Sequence, residues 1–174
     1  GAQRTPRKEP VAPSSEPANV EPAAADFDPL QGRIHRGNLG RTGEFGSQGL
    51  KECRGVKWAF ATGGPVRSSP VVVDGVACVG SYDGNIYAVD VTTGREKWRL
   101  KTGGPVSGSA TVVKGVVYIA SEAGVLLAIQ VADGRLLWQA DTDERTAGSP
   151  AVLGGRVFIG AGARGGSKMG IMSA

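Results

Sequence analysis

Trp58, Trp98 and Trp138 are the only tryptophans of this chain, and they stand 40 residues apart, twice over. A fixed period limits the fold severely, because each copy must be one small unit packed on its neighbours. On the tryptophan register, WAFATGGPVRSSPVVVDGVACVGSYDGNIYAVDVTTGREK lies over WRLKTGGPVSGSATVVKGVVYIASEAGVLLAIQVADGRLL without a gap. A third copy begins WQADTDERTAGSPAVLGGRVFIGAG. A period of roughly 40–45 residues with four short strands per unit specifies a β-propeller blade. The expected fold is all-β: four-stranded antiparallel blades, two complete and others partial, after a disordered tail.

Composition supports this reading. The 28 glycines and 10 prolines of the 174 residues show no G-X-Y period, which excludes collagen. Apolar residues make up 40%, enough for a globular core, and no run reaches the roughly 18–20 apolar residues of a membrane helix. No signal peptide is visible, although the chain starts at Gly1, as it would after removal of one or after any other trimming. The net charge of +4 is spread along the chain, which reads as a solvated surface and not as a nucleic-acid face.

Residues 1–33 hold six of the ten prolines and few large apolar side chains. They cannot bury enough surface to offset their ordering entropy, so a disordered tail or linker is expected. Residues 34–53 form a Gly-rich lead-in, and 54–174 the repeats. Cys78 holds the place of Tyr118 and Phe158 in the later copies, which favours a buried apolar role; a disulfide with Cys53 stays open. Two cysteines at this spacing and His35 do not make a metal site.

Turn signals recur within the first copy. Asp74-Gly75, Asp83-Gly84 and Thr93-Gly94 separate β-branched runs, and Asp-Gly hairpin turns favour φ > 0 at both central residues. Strands are expected at 69–73, 76–82, 85–91 and 95–101, then at 109–113, 116–121, 125–131 and 135–141. The third copy supplies 149–153 and 156–160, then a Gly-rich loop over 161–168 and the start of another strand at 169. A lone strand over 56–60 precedes them all. The first strand of each copy is apolar on both faces, as an inner ring requires; the outer strand alternates and carries the tryptophan.

These residues carry a resemblance. Ala88-x-Asp90-x-x-Thr93-Gly94-x-x-x-Trp98 resembles the tryptophan-docking motif of pyrroloquinoline-quinone (PQQ) type propeller repeats. Phe60-x-Thr62-Gly63-Gly64-Pro65-Val66-x-Ser68-Ser69-Pro70 and Gly80-Ser81-x-Asp83-Gly84 are similar to the same repeat, as is the lead-in Arg36-Gly37-Asn38-x-x-Arg41-Thr42-Gly43. The resemblance implies that Trp58, Trp98 and Trp138 dock on neighbouring blades, with Ala88, Asp90, Thr93 and Gly94 forming one receiving turn. In the second copy Gln130 and Asp133 replace Asp90 and Thr93, so a weaker contact is expected there. Trp-Asp propeller repeats are excluded by the lack of their Gly-His and Trp-Asp pairs, and kelch repeats by their longer period.

The family resembled includes quinoprotein dehydrogenases, which bind PQQ and calcium, and also non-catalytic assembly scaffolds and sensor domains. The enzymes imply a vicinal Cys-Cys pair, a stacking Trp and a catalytic Asp. This chain has no adjacent cysteines and no Trp outside the docking register. Asp74, Asp83 and Asp133 precede glycines and read as turn residues. Asp141-x-Asp143-Glu144 is the densest acidic group and reads as a solvated loop; calcium would need six or more converging oxygens. Gly63-Gly64-Pro65 and Gly103-Gly104-Pro105 recur in register with no helix after them, so they are interblade connections and not phosphate loops. Arg67, aligned with Ser107 and Ala147, and Tyr82, aligned with Glu122 and Gly162, depart from the repeat where loops face the channel mouth. They are the candidate contacts for a partner or an anionic ligand.

The third copy lacks a closing tryptophan, so the chain reads as the N-terminal piece of a larger ring whose open blade edges invite self-association. The expected function is a non-catalytic, extracytoplasmic scaffold binding a protein or ligand, with no cofactor evident. The alternatives are the N-terminal part of a PQQ- and calcium-dependent dehydrogenase, and the sensor domain of a membrane-anchored kinase.

Overall fold

A blade of this repeat can bury only one inner edge by itself, so the chain stacks its sheets one after another. The computed structural model describes residues 52, 55–142, 144–163 and 166–173, with side chains among them up to Gly162. The expected tail over 1–33 and nearly all of the 34–53 lead-in lie outside these residues, as does Cys53 with its disulfide reading.

Among the described residues eleven strands form three antiparallel sheets. The first holds β1 (Val71–Val73), β2 (Val76–Gly80), β3 (Asn85–Asp90) and β4 (Glu96–Lys101) in sequence order. The second repeats it with β5 (Thr111–Val113), β6 (Val116–Ser121), β7 (Val125–Gln130) and β8 (Leu136–Asp141). The third holds β9 (Ala151–Leu153), β10 (Arg156–Ala163) and β11 (Gly166–Ser173), with β11 at its outer edge. The first strands touch in series, β1 against β5 and β5 against β9.

The sequence explains these elements. Asp74 and Gly75 take φ of 46° and 75°, and Lys114 and Gly115 repeat this with 49° and 75°. Two left-handed residues in a row match the twist of the flanking strands. The Asp83-Gly84 turn differs, since only Gly84 has positive φ there. Asp83 shapes that turn instead by accepting from the Asn85 backbone N–H at 2.9 Å and the Asn85 side chain at 3.0 Å. In β4, Trp98 and Leu100 point inward while Lys97, Arg99 and Lys101 stay exposed.

Two expectations fail. Residues 56–60 form no strand, because a strand needs a ladder and no described segment lies beside them to supply one. The expected loop over 161–168 is mostly hairpin: Gly160 pairs with Met169, Ala161 with Lys168 and Gly162 with Ser167. In the first two copies Ser81 and Ser121 accept from the backbone N–H two residues on and Gly84 and Gly124 take positive φ, closing the turn early; in the third copy Ala161 and Arg164 hold those positions.

The core lies between blades. Val76, Cys78, Ile86, Ala88, Val106, Val117, Ile119 and Ile129 form one buried cluster across the first two sheets. Ala120, Leu126, Val157 and Ile159 form a second, towards the third sheet. Val106 fills the space that a Cβ on Gly80 would need. Burial pushes the Cys78 thiol up to about 12.

At the outer rim, Trp58 Nε1 donates to the Val91 carbonyl at 2.9 Å, and Trp98 Nε1 to the Val131 carbonyl at 2.8 Å. Each indole sits on a glycine of the next turn; a Cβ on Gly94 would lie 2.6 Å from Trp58, and one on Gly134 2.6 Å from Trp98. Gly134→Ala must therefore strain a left-handed backbone and displace an indole, lowering the unfolding free energy by about 1–3 kcal/mol. Gly154→Ala meets the backbone strain alone, since nothing lies within 4 Å of its Cβ position, and should cost about 1 kcal/mol. Urea titration of the two variants measures the difference.

Candidate functional site

Antiparallel alternation sends every second connection to the same end of the blades. Residues 61–70, 81–84, 102–110, 121–124 and 142–150 share one end; the turns at 74–75, 91–95, 114–115, 131–135 and 154–155 share the other. At the first end one hydrogen bond recurs in each copy. Tyr82 N–H donates to the Pro65 carbonyl at 3.0 Å, Glu122 to Pro105 at 2.8 Å and Gly162 to Arg145 at 3.2 Å. It ties each interblade loop to the hairpin turn beside it.

That tie brings the departures from the repeat together. The Arg67 guanidinium lies over the Tyr82 ring, 4.9 Å from its centroid, a cation–π arrangement. Glu122, whose side chain is only 8% exposed, accepts from Arg145 Nε at 3.2 Å and also from Nη2, while Arg145 remains 64% exposed. Ser107 is also here, its hydroxyl buried beside Glu122. Burial pushes Glu122 up, but Ser107, Arg145 and Tyr82 together hold it below its ordinary value. Arg67, Tyr82, Glu122 and Arg145 thus form a polar patch across three blades.

Sequence reasoning singled out Arg67 and Tyr82 and missed Glu122 and Arg145 as their companions. The signal was present in the register. Arg145 stands where Pro65 and Pro105 stand, and Glu122 where Tyr82 stands.

Asp83 belongs to the same end but is fully engaged. It accepts from the Gly63 N–H at 2.7 Å and the Tyr87 hydroxyl at 2.6 Å, besides Asn85. Burial pushes its carboxyl up, and these hydrogen bonds outweigh that and hold it below the ordinary value. The donor set does not fit a calcium-bound quinone: the oxygens of Asp83 and Glu122 already face protein donors, and calcium needs six or more oxygens. Among the described residues no group of His, Cys, Asp and Glu is placed to hold a metal, and Asp143 lies outside them.

The remaining candidates sit at the opposite end or along the rim. Asp90 Oδ1 accepts from Thr92 N–H at 3.0 Å, Thr93 N–H at 2.8 Å and the Thr93 hydroxyl at 2.9 Å, which sets Gly94 under Trp58. Ala88 pairs with Trp98 across the ladder. In the second copy the Gln130 carbonyl accepts from Gly134 N–H at 2.9 Å and Asp133 Oδ1 from Arg135 N–H at 3.0 Å, so the turn forms without the carboxylate cap of Asp90 and Trp98 keeps its hydrogen bond. Trp138 pairs with Ala128 and lies 5.9 Å from the Tyr118 ring. The register position that would receive it reaches Ala174, outside the described residues.

A family profile described as outer membrane protein assembly factor BamB matches residues 51–107 and 82–171. No curated protein matches the sequence. Among solved structures, a quinohemoprotein alcohol dehydrogenase from Comamonas testosteroni is 29% identical at a TM-score of 0.53, over 57% of this chain and 18% of that one. A europium-containing methanol dehydrogenase is 22% identical at 0.58, over 67% and 24%. BamB from Moraxella catarrhalis is 21% identical at 0.55, over 62% and 35%. The last two share the fold. The chain spans between 18% and 35% of the length of these structures. No helix among the described residues is long and apolar enough to cross a membrane.

The lowered Glu122 value has a sign. Its contribution to stability is fully present above its unfolded value near 4.5 and is lost as pH falls through the lower folded value. Glu122→Gln should therefore melt below the parent chain at neutral pH, and the two midpoints should converge below a pH of about 4 in a thermal melting series.

Proposed function

The chain belongs to the PQQ-repeat β-propeller family described as outer membrane protein assembly factor BamB, and from that premise we propose that it is a non-catalytic scaffold that holds a protein partner outside the cytoplasm. One observation carries this reading: the patch of Arg67, Tyr82, Glu122 and Arg145 at the loop end. Arginine and tyrosine are enriched where proteins bind proteins, because both combine large contact area with directed polar groups. Arg67 is steadied on Tyr82 and Arg145 on Glu122, so both cations are held near one pose while still facing solvent. Less rotamer entropy is then lost on binding.

A second reading keeps the chain as the N-terminal part of a PQQ-dependent dehydrogenase. The 29% identity to the quinohemoprotein alcohol dehydrogenase supports it. A bound quinone would supply hydride-accepting chemistry; the loop-end residues of these blades would at most orient a neighbouring group.

In-cell photo-crosslinking separates the two. A photoreactive residue at Ala147, beside the patch, should give one discrete adduct with a different protein, and one at Ala132, at the opposite end, should not. Arg67→Ala and Arg145→Ala should each weaken the captured contact by about tenfold. PQQ- and calcium-dependent oxidation of alcohols by the purified protein, read with a dye, would overturn the scaffold reading in favour of the second.

A further inference from the structure

We propose that the partner of the loop-end patch presents an acidic segment, and that Arg67 and Arg145 each take one of its carboxylates. This rests on the scaffold reading above and names the chemistry of what the scaffold holds.

The fold does not need these two side chains. What ties the third blade's loop to its hairpin is the Arg145 carbonyl, which accepts from Gly162 N–H at 3.2 Å. The Pro65 and Pro105 carbonyls make the same tie in the first two blades, with no charge attached. Arg67 stands where Ser107 and Ala147 stand. Both guanidinium groups are additions to a repeat that closes without them.

Charge at this end is sorted by depth. The described loop residues carry the acids Asp83, Glu122 and Glu144 against the bases Arg67 and Arg145, so the formal sum is not positive. The carboxylates face inward, however. The Glu122 side chain is 8% exposed and holds Arg145; Asp83 accepts from Gly63, Asn85 and Tyr87; Glu144 Oε2 is buried. Arg67 and Arg145 face outward. What approaches these loops from solvent therefore meets two cations.

Their donors suit carboxylates. Arg145 spends Nε and Nη2 on one oxygen of Glu122, which leaves its Nη1 side for a second carboxylate. Arg67 meets the Tyr82 ring through its charge, at 4.9 Å from the centroid, and that contact consumes no N–H. Tyr82 lies beside the Glu122 carboxylate in turn, so one chain of contacts joins the two arginines and sets their spacing. A continuous polyanion is a poor match. Anionic membrane surfaces are held by clusters of about 4–8 basic residues, whereas here an anionic Glu122 separates two cations. Two positive points with a negative one between them fit discrete carboxylates on an extended peptide.

Fluorescence anisotropy of labelled decaglutamate, titrated with the 174-residue chain, tests the proposal. The peptide should bind, and Arg67→Glu and Arg145→Gln should each weaken binding by about tenfold. Arg145→Lys keeps the charge and loses the fork, so it should weaken binding by about threefold. Arg135→Gln, the same loss of charge at the opposite end, should change nothing. Urea unfolding checks that the variants fold; Arg67→Glu takes no partner from a buried acid and stays informative if Arg145→Gln does not fold. Decaglutamate that fails to bind, binding unchanged by both loop-end substitutions, or tighter binding of phosphatidylserine vesicles would overturn the inference. The scaffold reading fails separately. A crosslink from Ala147 onto a partner segment without acidic residues sinks this inference and keeps the scaffold; no crosslinked protein at all sinks the scaffold reading even where decaglutamate binds.

Discussion

An indole seated on a glycine one blade further along is the contact on which the rest of the structure depends. A four-stranded sheet of this size is marginal alone, and its two faces need cover. The inner strands β1, β5 and β9 provide one line of contact near the axis. Trp58 on Gly94 and Trp98 on Gly134 provide a second at the rim. One line would leave each blade free to hinge about it; two lines fix the angle between blades. The glycine serves twice, since its left-handed backbone forms the turn and its missing Cβ admits the ring. The indole N–H then anchors to a carbonyl that the turn leaves pointing outward.

This constraint explains what could be read without coordinates. The tryptophan period, the Asp74-Gly75 turn and the alternation of β4 are local or periodic properties, and they lead directly to blades. What failed to show was whatever depended on a partner. Residues 56–60 carry a strand-like pattern but lack a ladder. Residues 161–168 look like a loop because glycine and alanine have low strand propensity, yet a ladder needs only backbone groups, and the turn-closing Ser81 and Ser121 have Ala161 as their counterpart there. The Asp83-Gly84 turn was legible as a turn but not in its type, since Asp83 acts through its carboxylate and not through positive φ.

The loop-end patch was half legible for a related reason. In a repeat, residues that hold the fold recur, and residues free to serve something else differ between copies. Arg67 and Tyr82 stood out by that comparison. Glu122 and Arg145 have meaning only as a pair across two blades, at positions 23 residues apart that no single-copy comparison joins. Their pairing needs the recurring hydrogen bond between the 145 and 162 backbones, which positions the loop before any side chain contributes.

The two ends of the blades are therefore coupled through geometry. Blade angle is set at the rim by tryptophan and glycine, and the distance from Arg67 to Arg145 spans three blades whose angles accumulate. A partner of the proposed kind that engaged both arginines would read that sum, so a small change in one docking contact would alter the spacing of two cations at the other end without touching either. The second copy's turn shows how such a contact tolerates sequence drift. Gln130 and Asp133 abandon the carboxylate-capped turn of Asp90 and Thr93, yet the Gly134 N–H still finds the 130 carbonyl and Trp98 keeps its hydrogen bond. The backbone bond and the glycine recur in both turns while the side chains that cap them differ, which makes the glycine under each indole the residue least open to exchange.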